Sequence, residues 1–134
     1  MTSPKVSVII VNWNNFKDTA ECLESLRKVN YPNFEVIVVD NGSSGNDTNL
    51  LRQGFGDFMK LIVSNRNLGF AGGCNLGIKD ALTRGAEYIA LLNNDTVVAP
   101  DFLDAVVGVA QSDKKLGVAG GKIYCFEIPE VIWF

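Results

Sequence analysis

The stretch "VSVIIVNWNNFKDTAECLESLRKV", Val6 to Val29, carries the reading of the fold. Its first six residues are almost continuously apolar and β-branched, as in a strand covered on both faces. From Phe16 the period changes. Phe16, Ala20, Leu23 and Leu26 fall on one face of a helix that Asn14 or Asn15 is placed to cap. A strand with two covered faces, followed at once by an amphipathic helix, is the first half of a βαβ unit.

The alternation repeats outward from there. "FEVIVV" (Phe34–Val39), the weaker "MKLIV" (Met59–Val63), "YIALL" (Tyr88–Leu92) and "GVAGGKIYCF" (Gly117–Phe126) are the further predicted strands. Between them, "GGCNLGIKDALTRG" groups Cys74, Ile78, Ala81 and Leu82 on one helical face and stops at Gly85. "APDFLDAVVGVAQS" opens with Pro100 and early acids, which a helix N-terminus favours. "NDTNLLRQGFGDF" is a weak helix, since Gly54 and Gly56 interrupt it. The order βαβαβαβαβ predicts a three-layer α/β fold with a mainly parallel sheet. Its central strands are Val6–Val11, Phe34–Val39 and Tyr88–Leu92.

The 134 residues amount to one domain, 1–134, with 47% hydrophobic and 20% charged residues. A net charge of −3 gives no electrostatic reason to expect nucleic acid as a partner. No apolar run is long enough to span a bilayer, and "VSVIIV" is too short for a signal peptide. The three cysteines, Cys22, Cys74 and Cys125, form no CxxC pair and read as inert thiols in a reducing cytoplasm. The chain has no histidine, which excludes a Ser-His-Asp triad and imidazole metal ligands within it. Any metal would take oxygen ligands, which points to magnesium or manganese.

In parallel sheets ligands bind beyond the carboxyl ends of the strands. Here those ends read "VNWNN", "DNGSS", "SNRNLG" and "NNDT", so four strands each deliver Asn or Asp to one edge. Turn chemistry explains any one of them; four together mark a site. A dinucleotide site of the GxGxxG type is excluded, because no glycine follows the first strand. "GGCNLG" also lacks the Lys-Ser/Thr pair of a P-loop.

In this order and spacing, "VSVIIVNWNN", "VIVVDNGSS", "NLGFAGGCNLG" and "LLNNDT" resemble the family 2 inverting glycosyltransferases from Val6 to Tyr124. Within them the chain looks most like rhamnosyltransferase-related enzymes of surface-polysaccharide synthesis. The resemblance implies the GT-A fold and transfer of a sugar from a UDP- or dTDP-sugar to a saccharide or lipid-linked acceptor. It places Val11 and Asn12 at the edge of the base, with Asn14 beside them. It has Asp40 accept from a pyrimidine imide N–H, which suits uracil or thymine because a carboxylate only accepts. Asn67, Gly69 and Asn75 border the nucleotide on its other side. Asn93 and Asn94 reach ribose hydroxyls, and Asp95 holds the Mg2+ or Mn2+ that bridges the phosphates.

Two of the three positions in that last motif are amides, which implies weak metal binding in the absence of nucleotide. The resemblance also places the general base downstream of Phe134. Glu127 and Glu130 do not match the base's motif and read as surface residues. The expectation is therefore the donor-binding part of a longer, cytoplasmic enzyme. Lipid-linked acceptors would bring it to the membrane, of which this segment itself gives no sign. The alternatives are a non-catalytic nucleotide-binding or interaction fragment and, with less support, a sugar nucleotidyltransferase. The latter needs a Gly-rich, basic loop where "NWNNF" stands.

Overall fold

A computed structural model describes residues 3–133. In chain order the elements are β1 (Val6–Asn12), α1 (Phe16–Leu26), β2 (Phe34–Asn41), α2 (Asp47–Phe55), β3 (Met59–Ser64), α3 (Gly69–Thr83), β4 (Tyr88–Leu91) and α4 (Phe102–Ser112). The strands form one parallel sheet in the order β3-β2-β1-β4. The register pairs Val6 with Phe34 and Asn12 with Asp40, and on the other side Val6 with Tyr88.

Strand alternation sorts the core into two layers. Val6, Val8 and Ile10 of β1, with Val36 and Val38 of β2, meet Leu23 and Leu26 of α1, Leu51 of α2 and Leu103 of α4. Ile9, Ile37 and Val39 point the other way, against Ala81 of α3. Burying the larger cluster offsets the glycines of α2: Leu51 and Phe55 are both buried, so a nine-residue helix runs through Gly54 and ends at Gly56. α3 lies close over β1, because a Cβ at Gly77 would stand 2.5 Å from Ile9 Cγ2.

Four sequence expectations are corrected. β4 is an edge strand with Leu91 53% exposed, because α3 carries the chain past β2 and β1 to the far side of β1. Gly117–Phe126 forms no strand; among the described residues this segment shows only a bridge between Tyr124 and Ile132. Three glycines and no neighbouring ladder leave it irregular and largely exposed, with Val118 88% exposed. α3 begins at Gly69, ahead of the predicted start, and Leu82 lies outside its buried face. Asn15 occupies the N-cap of α1 without a capping bond, and its amide donates to Asp18 instead.

Gly85 does end its helix as expected, with φ +79° just past Arg84. Among the described residues no helix is long and apolar enough to cross a membrane.

Candidate functional site

The strand order reverses between β1 and β4. The first two crossovers move outward from β1, and the third returns to its other side. A crevice at the carboxyl ends is the geometric consequence. It is present as a hollow of about 310 Å3 lined by Val11, Trp13, Asn15, Asn41, Asn67, Gly69, Phe70 and Asn94. None of these side chains is charged. Trp13 and Phe70 are 53% and 59% exposed, which for large apolar rings at a concave edge is a surface offered to a flat ligand.

The same alternation that built the core decides which polar groups reach this hollow. Val11 and Asn41 share the α3 face, and a Cβ at Gly73 would come within 3.0 Å of Val11 and 3.2 Å of the Asn41 amide. Asn41 ties down the β3–α3 loop. Its Nδ2 donates to Asn67 Oδ1 (3.1 Å) and to the Gly69 carbonyl (3.0 Å), and its Oδ1 accepts from Leu68 N–H (3.0 Å). Gly42 supplies the sharp exit from β2 at φ +80°, where a Cβ would collide with the Arg66 backbone.

Asn12 and Asp40 face the opposite side, towards α1 and α2, and both are buried. Asp40 is 1% exposed and accepts from Asn12 Nδ2 (2.9 Å), Ser43 Oγ (2.5 Å), Ser43 N–H (3.3 Å) and Thr48 Oγ1 (3.1 Å). Asn12 Nδ2 also donates to Asp47 (2.9 Å), and its Oδ1 accepts from Thr19 Oγ1 (2.7 Å). The carboxylate that the resemblance assigns to the base edge thus sits beneath the hollow, and Asn41 lines it. Asn14 adopts φ +50° and bridges the loops after β1 and β2. Its N–H donates to Ser43 Oγ (2.9 Å) and its Oδ1 accepts from Ser44 N–H (2.8 Å).

Of the other predicted residues, Val11, Asn67, Gly69 and Asn94 line the hollow. Asn75 is exposed on α3 and outside the lining. Asn93 is exposed, and its carbonyl accepts from Thr96 Oγ1 (2.7 Å) and Cys22 Sγ (3.8 Å). Asp95 is exposed and opens on a smaller neighbouring hollow of about 150 Å3, shared with Asp18, Glu21, Thr96, Val97 and Phe126.

Trp13, Asn15, Asn41 and Phe70 were not predicted as site residues. For Asn41 a signal existed: the residue two after Val39 lies on the same face as Ile37 and Val39. Burial pushes the Cys22 thiol up to about 11, opposed by a hydrogen bond with Thr96 and reinforced by the charge of Asp95. Cys22 is therefore a thiol and no nucleophile at neutral pH.

The donor set near Asp95 consists of oxygens, which suits a hard cation. Among the described residues no group of three or more His, Cys, Asp or Glu is close enough to hold a metal. These residues fit an ion that a bound diphosphate helps to ligate, and do not fit a cage that retains the ion alone.

Comparison with known proteins agrees with this geometry. The profile of glycosyl transferase family 2 matches residues 7–133. The chain belongs to this family. The family 2 chain is 29% identical over 121 residues to the putative glycosyltransferase EpsH of Bacillus subtilis, covering 87% of this chain and 33% of that protein. It is also 29% identical over 121 residues to the poly-beta-1,6-N-acetyl-D-glucosamine synthase of Staphylococcus epidermidis, covering 87% and 28%.

Among solved structures, S. aureus TarS superimposes with a TM-score of 0.67 at 26% identity, over 81% of this chain and 32% of that one. A mannosyltransferase from Pyrobaculum calidifontis, in complex with GDP-Man and Mn2+, gives 0.69 at 24% identity, over 82% and 33%. The fold is GT-A. The family 2 chain spans a third or less of the length of these two curated relatives.

Proposed function

We propose that the chain is the donor-binding part of a glycosyltransferase that uses a UDP- or dTDP-sugar and transfers the sugar with inversion to a saccharide or lipid-linked acceptor. The observation that carries this reading is the uncharged, aromatic-flanked hollow at the β1/β4 switch, with Asp95 on the adjoining turn. A planar base fits between exposed rings and amides. Val11, Asn41 and Asn67 stand at its edge, with Asn93 and Asn94 at the sugar. Asp40 and Asn12 shape this wall from beneath rather than by touching the base.

Asp95 would hold Mg2+ or Mn2+ together with the diphosphate, and the bound cation would stabilise the negative charge that grows on the leaving group. The mannosyltransferase that shares the fold is in complex with Mn2+, which supports a divalent ion. The finer likeness to rhamnosyltransferase-related enzymes of surface-polysaccharide synthesis belongs to the same reading and fixes neither the sugar nor the choice between uracil and thymine. In this reading neither Glu127 nor Glu130, both exposed on the segment after α4, serves as the general base. The chain alone then binds donor nucleotide and transfers no sugar.

Thermal denaturation with UDP, dTDP, GDP and ATP, each with and without Mn2+, tests the reading. UDP or dTDP at about 100 times its Kd stabilises by roughly 2.7 kcal/mol. Equal stabilisation by ATP, or none by either pyrimidine nucleotide, overturns it.

A further inference from the structure

The hydrogen bonds beneath the hollow run in one direction. Asp40 and Asp47 are carboxylates and only accept, so each takes one of the two hydrogens on Asn12 Nδ2, both at 2.9 Å. That forces the other end of the amide, Oδ1, towards α1. There the Thr19 hydroxyl stands 2.7 Å away, and it must donate, because Oδ1 cannot. A hydroxyl has one proton. Thr19 Oγ1 therefore meets the next group only as an acceptor, and that group is Asn94 Nδ2 at 3.1 Å.

The consequence falls on Asn94, a residue of the turn after β4 that lines the hollow. With its nitrogen bound to Thr19, its Oδ1 points away from Thr19, and among the described residues it has no hydrogen-bond partner. Asn12 and Thr19 are buried and shielded from competing water, so the order of donors is held. Two carboxylates on the far side of β1 thus decide which end of an amide a ligand meets.

We propose that Thr19 is a positioning residue for the donor nucleotide: through this one-way chain, anchored on Asp40 and Asp47, it presents the Asn94 carbonyl oxygen as an acceptor for a ribose hydroxyl. The inference rests on the nucleotide reading above. Ribose hydroxyls and the base imide N–H are the donors that a uridine nucleotide offers. Asn94 immediately precedes Asp95, where the diphosphate is expected, and the ribose is the part next to the phosphates.

The test is calorimetric titration of the 134-residue chain with UDP and with 2′,3′-dideoxy-UDP in the presence of Mn2+. The wild type should prefer UDP by about five- to tenfold, the worth of one or two ordinary hydrogen bonds. Thr19→Val should bring UDP down to the dideoxy affinity and leave dideoxy-UDP binding unchanged, and Thr19→Ser should restore the preference. A merely structural role for Thr19 would weaken both ligands alike, and that result overturns the proposal, as does a wild type indifferent to the hydroxyls. If Thr19→Val does not fold, Asn94→Ala on the surface turn is read in the same way: a preference for UDP that survives it sinks the proposal. Wild-type chain that binds neither ligand overturns the nucleotide reading itself, and the inference with it.

Discussion

The two ends of the sheet hold their charges in opposite ways. At the amino edge, Glu35 of β2 accepts from Ser7 Oγ (2.6 Å) and pairs with Arg84 (3.0 Å) and Lys5 (3.3 Å). Lys60 pairs with Asp80 nearby at 2.5 Å. Each of these acids has a cation, so the edge is closed. At the carboxyl edge, Asp40 and Asp47 converge on the Asn12 amide, and Asp18, Glu21 and Asp95 line the adjoining hollow. No lining residue of either hollow is cationic. Among the described residues the amino edge satisfies its own charges, and the carboxyl edge leaves its acids without cations. An edge with surplus negative charge and exposed aromatic rings is complementary to a divalent cation and a planar, uncharged base.

Three substitutions test this contrast. The largest effect is expected at Asp40, whose loss takes an acceptor from the buried Asn12 amide and from the half-buried Ser43 and Thr48 hydroxyls. Asp40→Ala should cost about 2–4 kcal/mol in urea unfolding of the ligand-free chain. If the unfolding midpoint stays put while UDP affinity falls, Asp40 faces the base after all, and the assignment of Asn41 to the hollow is mistaken.

At the amino edge the expected effect is smaller and depends on pH. Burial pushes the Glu35 carboxyl up, but hydrogen bonds from Ser7, Arg84 and Lys5 and the charge of Arg84 outweigh it, and the group ends below its ordinary 4.5. A carboxylate depressed in the folded state adds stability that is complete above the unfolded value and is lost as pH falls through the folded one. Stability measured from pH 6 downward should therefore begin to drop near the ordinary carboxylate value. Glu35→Gln should cost about 1 kcal/mol at neutral pH and flatten that part of the profile. An unchanged profile would mean that the network is not formed in solution.

The smallest change in stability is expected at Asp95, exposed on its turn. Asp95→Asn should alter unfolding by no more than about 0.5 kcal/mol while removing the enhancement of UDP binding by Mn2+. Retained enhancement would move the cation to Asp18 or Glu21, or away from this hollow.

Much of this was legible in the residues. "VSVIIV" and "FEVIVV" are continuous in hydrophobicity because helices cover both of their faces, and they became the inner pair of strands. Their polar ends lie at the edge where the hollow opens, and Gly85 marked the end of a helix. "YIALL" was legible as a strand but not as an edge strand, since its place depends on which way α3 crosses. "GVAGGKIYCF" shows the limit of the same signal: β-branched residues make a strand only where another strand is there to pair.

Periodicity thus determined the fold class, and strand-end chemistry the edge at which the hollow opens, because each is a pattern local to the chain; the family came from the resemblance of four motifs. Which side chain faces the hollow was decided by tertiary structure. Asp40 and Asn41 are adjacent in sequence and equally polar, yet one lies under α1 and α2 and the other under α3. Strand geometry guarantees that neighbours take opposite faces. Only the packing of the helices says which of those faces opens on the hollow.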